Sequence, residues 1–196
     1  MNSAIIGFGA IGQALARAFA RKNIQVSVAA RRPLEAIAPL ATAMGPTVTA
    51  SSLQDALKAQ IVILAIPFSA IPGFASMTNW SGRTVVDATN AINLTDFTPA
   101  DLGGKFSSSL VQEILSGAQV VKAFNTIPAA ILAQNPEEDG GRRVVFLSGD
   151  DPDARKDVSA LIDDLGFAPM DLGSLQDGAP QQCFHPLWAK NLILKG

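Results

Sequence analysis

The chain has 196 residues, of which 48% are hydrophobic and 16% are charged, and its formal net charge at pH 7 is -2. This composition is typical of a globular protein that buries a core, and it excludes a disordered chain. Nucleic acid binding requires a clustered excess of Lys and Arg. The balance of charge therefore gives no reason to expect a nucleic acid partner.

The chain carries features expected of a cytoplasmic protein with no membrane segment. Cys183 is the sole cysteine and cannot close an internal disulfide, as a reducing compartment would permit. The first residues show neither a basic leader nor a small-residue cleavage site. Apolar runs such as 61–67 are far shorter than the roughly 20 residues of a membrane-spanning helix.

Short apolar runs alternate with longer amphipathic stretches, which is the pattern of strands alternating with helices in a parallel sheet. This pattern predicts an α/β fold of the Rossmann type: a doubly wound, mostly parallel sheet with helices on both faces. The predicted strands are 4–7, 25–30, 47–50, 61–66, 84–87, 119–123 and 143–148, with a last short strand near Pro169.

No linker is long enough to separate two independent domains. We expect a single domain over residues 1–196, with a dinucleotide-binding half at 1–90. Residues 91–196 then form the second half and a small C-terminal extension. Two helices are especially clear, one over 10–23 and one over 152–165, the latter with Asp151 as its cap and Gly166 as its end.

The six residues 7–12 match the motif G-x-G-x-x-G between a predicted strand and a predicted helix. In this setting Gly7 allows the tight turn, Gly9 leaves room for a pyrophosphate, and Gly12 lets the helix press on the sheet. The helix N-terminus then favours the anion. The alternative that the three glycines only make a structural turn is less favoured in this setting. The motif therefore predicts dinucleotide binding.

Two arginines follow the second predicted strand, where NAD enzymes usually carry an acid for the ribose 2′-hydroxyl. Arg31 and Arg32 instead offer planar cations suited to a 2′-phosphate. The alternative is that both are ordinary surface charges. We expect NADP as the cofactor, with Arg31 as the better candidate of the two.

Ligands of doubly wound sheets lie at the carboxyl ends of the strands. The strand at 61–66 runs into Pro67, and the next two predicted strands are followed by Asn90 and Asn125. We expect the backbone of Ala65 and Ile66, with these two amides, to line the nicotinamide end of a cleft. Taken singly, each is more often a turn or cap residue.

The chain contains four segments at 7–12, 65–68, 85–90 and 120–127. Their order and sequences resemble those of the NADPH-dependent coenzyme F420 reductase family. They are similar also to the cytosolic oxidoreductase domains of the six-transmembrane metalloreductases. The later stretches 149–151, 165–167 and 171–175 fit as well, so the resemblance covers nearly the whole chain.

The resemblance implies hydride transfer between NADP(H) and a deazaflavin (coenzyme F420) or a flavin, with no catalytic side chain and no metal. His185 and Cys183 alone would make a poor metal site. Carried onto this chain, the NADP contacts of the family fall at the following positions: Phe8, Gly9, Ala10, Ile11, Ala30, Arg31, Ile66, Ser69 and near Asn90.

The chain departs from the family in two places. Ala30 replaces a small hydroxyl residue, which removes one phosphate hydrogen bond and leaves the charge of Arg31. After Leu175, residues 176–182 replace an acidic helix and put the pocket of the second substrate in doubt.

Three other functions remain open from the sequence. An NADP-binding sensor or scaffold without turnover is compatible with the fold. A dehydrogenase of a small alcohol or acid needs a general acid or base, for which Lys122 is a candidate, although pairing with Asp87 is an equal alternative. Direct ferric reduction would need a bound flavin or a separate partner.

The C-terminal stretch 184–194 is more apolar than a free tail should be. It is expected to pack on the sheet or against a second subunit. We expect a homodimer, since twofold pairs are the commonest assembly.

Overall fold

A mixed sheet of ten strands runs through the computed structural model, which describes residues 2–196. The strands are β1 (Ser3–Ile6), β2 (Val26–Ala29), β3 (Val48–Ala50), β4 (Ile61–Leu64), β5 (Thr84–Asp87), β6 (Gln119–Ala123), β7 (Glu137–Glu138), β8 (Gly141–Gly149), β9 (Ala168–Asp171) and β10 (Ile193–Lys195). The helices are α1 (Ala10–Arg21), α2 (Leu34–Thr42), α3 (Leu53–Ala56), α4 (Ser107–Ile114), α5 (Ala129–Leu132) and α6 (Pro152–Asp164), with short 3₁₀ helices at Phe68–Phe74 and Ala179–Gln181.

Six strands pair in parallel in the order β3-β2-β1-β4-β5-β6. Beyond them β8 runs antiparallel to β6, and β9 pairs with β8 in parallel. The mostly parallel Rossmann-type sheet predicted from the sequence is therefore confirmed. Each of the eight predicted strands lies within a few residues of an observed strand, whereas β7 and β10 were not predicted.

The central strands are buried on both faces, which explains their continuous apolar sequences. Ile5 of β1 and Ile63 of β4 belong to a core cluster that also contains side chains of α1 and α6. Ile6 and Leu64, their neighbours in the chain, belong to a second cluster with side chains of α3 and α4. Alternate residues thus fill the two layers, and this makes the sheet doubly wound.

The two helices that the sequence predicts most clearly, α1 and α6, begin and end close to the predicted residues. α1 begins at Ala10 and ends at Arg21, two positions before Asn23 adopts a left-handed φ of 56°. The Asp151 carboxylate accepts a hydrogen bond of 2.8 Å from the Ala154 N–H at the start of α6. Gly166 follows that helix with a φ of 91°.

The C-terminal stretch packs on the sheet, which is one of the two alternatives that the sequence left open. β10 pairs antiparallel with the first residues of β8. Phe184, Leu192 and Leu194 keep between 43% and 48% of their surface exposed, and contact with a second subunit stays a prediction. Among residues 2–196, no helix combines the length and the apolar character needed to cross a bilayer.

Candidate functional site

A cleft of about 560 Å³ opens beside the carboxyl ends of β1, β2 and β4. Its position is the one expected for a ligand of a doubly wound sheet. The described residues that line it are Ile6, Gly7, Phe8, Gly9, Gln13, Ala30, Arg31, Arg32, Leu53, Ala65, Ile66, Pro67, Ala70 and Phe74.

The three glycines of the turn have different surroundings. Gly7 has a φ of 103°, and a Cβ there would collide with the Ala65 carbonyl oxygen. A Cβ at Gly12 would collide with the Gly7 carbonyl oxygen. Nothing lies within 4 Å of a Cβ at Gly9, which faces open space. Two glycines are therefore needed by the fold itself, and the third leaves room beside the cleft.

α1 begins at this turn with its first N–H groups free of side-chain caps. Gly9 is the N-cap residue, and the first turn contains no acidic residue. The unpaired N–H groups and the helix dipole both attract an anion. An anionic group in the cleft beside Gly9 would supply the missing acceptors.

The two arginines after β2 are both exposed on the cleft but are used differently. Arg32 donates from Nη2 to the Phe8 carbonyl oxygen at 2.8 Å, and Gln13 donates to the same oxygen at 3.1 Å. Arg32 thus stabilises the glycine turn. Within residues 2–196, the Arg31 guanidinium has no hydrogen-bond or ion-pair partner, so its donors are free for a ligand.

The strand register aligns the segments that follow β4, β5 and β6. Leu64 pairs with Asp87, and Asp87 pairs with Lys122. Asn90 and Asn125 each lie three positions beyond this row, as Pro67 does. The Asn90 side chain donates to the Asn125 carbonyl oxygen at 3.0 Å, and Asn125 Nδ2 donates to Asn90 Oδ1 at 3.1 Å. The two predicted amides are therefore brought together at the carboxyl edge.

Lys122 and Asp87 form an ion pair of 3.0 Å, and both side chains are completely buried. Lys122 Nζ also donates to the Thr89 carbonyl oxygen at 2.5 Å. The other Asp87 oxygen accepts bonds from the N–H and the hydroxyl of Thr89. The pairing role considered for Lys122 is confirmed, because its ammonium group is held inside the sheet rather than facing the cleft.

The structure thus places nine of the predicted site residues on the cleft and the others near it. Ala10, Ile11 and Gly12 form the first turn of α1 behind the lining, and Ser69 is exposed on the 3₁₀ helix. Asn90 and Asn125 lie along the same carboxyl edge. The nine lining residues are Gly7, Phe8, Gly9, Ala30, Arg31, Arg32, Ala65, Ile66 and Pro67.

Sequence reasoning did not select five lining residues: Ile6, Gln13, Leu53, Ala70 and Phe74. One of them, Leu53, could have been located from the sequence. Ser52 caps α3 by accepting a bond from the Asp55 N–H at 3.1 Å, and this spacing marks a helix start at Leu53 after the third strand.

A second cavity of about 370 Å³ lies between residues 99–107 and the segment after the 3₁₀ helix at Ala179–Gln181. Gln182, Cys183 and His185 line it. Burial raises the pKa of the Cys183 thiol, whereas His185 is exposed. In the described part of the chain, no group of three or more His, Cys, Asp or Glu side chains could hold a metal ion.

Comparison with known proteins relates residues 2–91 to a family described as NADP oxidoreductase, coenzyme F420-dependent. A hypothetical protein, SMa0349 from Sinorhizobium meliloti, is 46% identical, with a TM-score of 0.95 over 100% of this chain and 97% of that one. A putative F420-dependent NADP-reductase from Arthrobacter sp. FB24 is 25% identical, with a TM-score of 0.73 over 91% of this chain and 87% of that one.

Metalloreductase STEAP3 of Rattus norvegicus is 25% identical over 171 residues, which is 87% of this chain and 33% of the relative. The chain thus spans about a third of the length of that curated relative. The family resemblance found in the sequence is confirmed by these matches.

The different surroundings of Gly12 and Gly9 predict different effects for two matched variants. Gly12→Ala should lower the free energy of unfolding by about 1–3 kcal/mol, since its Cβ collides with backbone. Gly9→Ala should change it by less than about 1 kcal/mol and yet abolish dinucleotide binding, because its Cβ enters the open space. Urea unfolding and ligand titration measure both effects. An equal loss of stability in the two variants would contradict these separate roles.

The buried ion pair predicts a large loss of stability when Lys122 alone is replaced. Lys122→Met should destabilise the fold by about 3–5 kcal/mol, because the Asp87 carboxylate is left buried without a cation to balance its charge. Adding Asp87→Asn should recover most of that loss, as measured by urea unfolding. A Lys122→Met protein of normal stability but without activity would instead favour a catalytic role for the lysine.

Proposed function

Because residues 2–91 match the coenzyme F420-dependent NADP oxidoreductase family, we propose that the chain transfers a hydride between NADP(H) and a deazaflavin or flavin. Coenzyme F420 is the deazaflavin that the family description names. The observation that carries the proposal is the cleft in which Arg31, the uncapped start of α1 and the open space at Gly9 converge.

The residues of the cleft fit the parts of NADP in order. The first N–H groups of α1 would hold the pyrophosphate, and the open space beside Gly9 allows its close approach. Arg31 would bind the 2′-phosphate through its free guanidinium donors. No carboxylate lines this part of the cleft among the described residues, so nothing there would repel the phosphate.

At the other end, Ile66 and Pro67 line the cleft just after β4, which pairs with β5. We propose that the nicotinamide lies there, beside the edge that carries Asn90 and Asn125. When bound, the cofactor pair supplies the hydride donor and acceptor, so the protein has to hold two flat rings in contact and exclude water. Apolar side chains such as Ile66 suit this task.

The buried ion pair also bears on the competing dehydrogenase function. Reduction of a small carbonyl compound requires a group that exchanges a proton with the substrate oxygen. Lys122 is the candidate that the sequence offers, and its ammonium group is held by Asp87 and the Thr89 carbonyl. Direct transfer between two redox rings makes no such demand, and this favours the proposed reaction.

The proposal is tested by mixing the purified protein with NADPH and, separately, with coenzyme F420, FMN and FAD. The absorbance of each cofactor should report turnover with at least one acceptor. Binding of NADPH without turnover of any acceptor would contradict the proposed reaction and indicate an NADP sensor or scaffold.

The free guanidinium of Arg31 predicts that its removal weakens binding of NADPH selectively. Arg31→Ala should raise the Michaelis constant for NADPH by about tenfold to a hundredfold, as expected for a charged hydrogen bond, and leave NADH nearly unchanged. Arg17→Ala, which removes the same charge from an exposed position of α1, is the matched control. Arg32→Ala should weaken both cofactors, since Arg32 also fixes the Phe8 carbonyl. Equal effects of Arg31→Ala on both cofactors would refute the phosphate contact.

A further inference from the structure

The Phe8 carbonyl oxygen in the glycine turn accepts hydrogen bonds from two side chains that line the cleft. Arg32 Nη2 donates to it at 2.8 Å, and Gln13 Nε2 donates to it at 3.1 Å. The two donors come from different elements, since Gln13 lies in α1 and Arg32 follows β2. A carbonyl oxygen has two lone pairs and accepts both bonds at once. If one donor leaves, the other still satisfies this oxygen.

Arg32 is the donor that can leave more easily. Its side chain is exposed, and within residues 2–196 it makes this one hydrogen bond and no ion pair. A guanidinium has five N–H donors, so most of those on Arg32 have no protein partner. Gln13 is partly buried, and its own N–H is bonded to the Gly9 carbonyl oxygen at 2.9 Å within the first turn of α1. The helix therefore keeps Gln13 beside the Phe8 carbonyl.

A 2′-phosphate in the cleft would compete with the Phe8 carbonyl for Arg32. Arg31 and Arg32 both line the cleft, where no carboxylate is present among the described lining residues. A phosphate monoester carries between one and two negative charges near neutral pH, which one arginine does not balance. A guanidinium also binds a phosphate through paired, charge-assisted hydrogen bonds, whereas a carbonyl offers it only a dipole. Arg32 therefore gains by exchanging the carbonyl for the phosphate.

We propose that Gln13 is a positioning residue that determines the preference for NADP over NAD by releasing Arg32. When NADP binds, Arg32 turns from the Phe8 carbonyl to the 2′-phosphate beside Arg31, and Gln13 alone then holds the carbonyl. NAD carries no 2′-phosphate, so Arg32 stays on Phe8 when NAD binds. The inference rests on the proposed function in one respect: NADP must occupy this cleft.

The loss of Gln13 would make the release of Arg32 unfavourable. Without the Gln13 amide, the departure of Arg32 leaves the Phe8 oxygen with no side-chain donor, in a residue of which 2% of the surface is exposed. An acceptor left without a donor costs more than an average hydrogen bond contributes. Gln13 thus affects binding of the 2′-phosphate without touching it.

The test measures the affinities for NADPH and NADH by fluorescence titration and compares their ratio among variants. Gln13→Leu should lower the preference for NADPH about threefold to tenfold, as for the loss of one hydrogen bond, and leave NADH within about twofold. Gln13→Ala should do the same without adding an apolar side chain to the cleft. In a protein that already carries Arg32→Ala, Gln13→Leu should leave the ratio within about twofold, because no Arg32 remains to be released.

Gln54→Leu is the matched control. Gln54 is exposed on α3, next to Leu53 of the cleft lining, and its side chain makes no hydrogen bond within residues 2–196. This variant should change neither affinity.

Three results would overturn the positioning role of Gln13. An equal loss of affinity for NADPH and NADH in Gln13→Leu would show that Gln13 only stabilises the turn. An unchanged ratio in Gln13→Leu would show that the release of Arg32 does not depend on Gln13. A ratio change of the same size with and without Arg32 would show that Gln13 contacts the phosphate itself.

The affinity ratio requires no electron acceptor, so the two proposals fail separately. A ratio that changes as expected, without turnover of coenzyme F420, FMN or FAD, would support the role of Gln13 and contradict the proposed reaction. Turnover with a ratio that is unchanged in Gln13→Leu would do the opposite.

Discussion

The ion pair between Lys122 and Asp87 joins β5 to β6 near the points where both strands end, and the arrangement of the carboxyl edge depends on it. Both groups are fully buried, so their charges are compensated by each other and by Thr89. Removing water from two charges is costly, and only close, complete hydrogen bonding offsets that cost. The pair therefore fixes the positions of the strand ends that precede Asn90 and Asn125.

On the other side of the cleft, the backbone itself sets the geometry. Gly12 allows α1 to approach the Gly7 carbonyl, and Gly7 allows the turn to approach the Ala65 carbonyl after β4. These close approaches put the helix N-terminus at the mouth of the cleft. Arg32 and Gln13 then hold the Phe8 carbonyl. In the proposed function, these contacts hold the anion-binding end in place before any ligand arrives, which lowers the entropic cost of binding.

These two rigid ends explain how a protein without an evident acid, base or nucleophile could still promote a redox reaction. Hydride transfer between two flat rings depends on distance and orientation more than on proton exchange with a side chain. In the proposed function the glycine turn and Arg31 hold one end of NADP, and the nicotinamide lies at the other end, beside Ile66 and Pro67.

Local patterns in the sequence determined the Rossmann-type sheet, the glycine turn and the cap of α6 by Asp151, because apolar periodicity and short motifs act over a few neighbouring residues. The sequence left the role of Lys122 open between pairing with Asp87 and catalysis, and the bond from Asn125 to a carbonyl 56 positions away and the burial of Gln181 left no local signal. The short strands β7, with two exposed glutamates, and β10 exist because β8 offers them free backbone groups. Only the tertiary structure decided these features, since each depends on groups that folding brings together from distant parts of the chain.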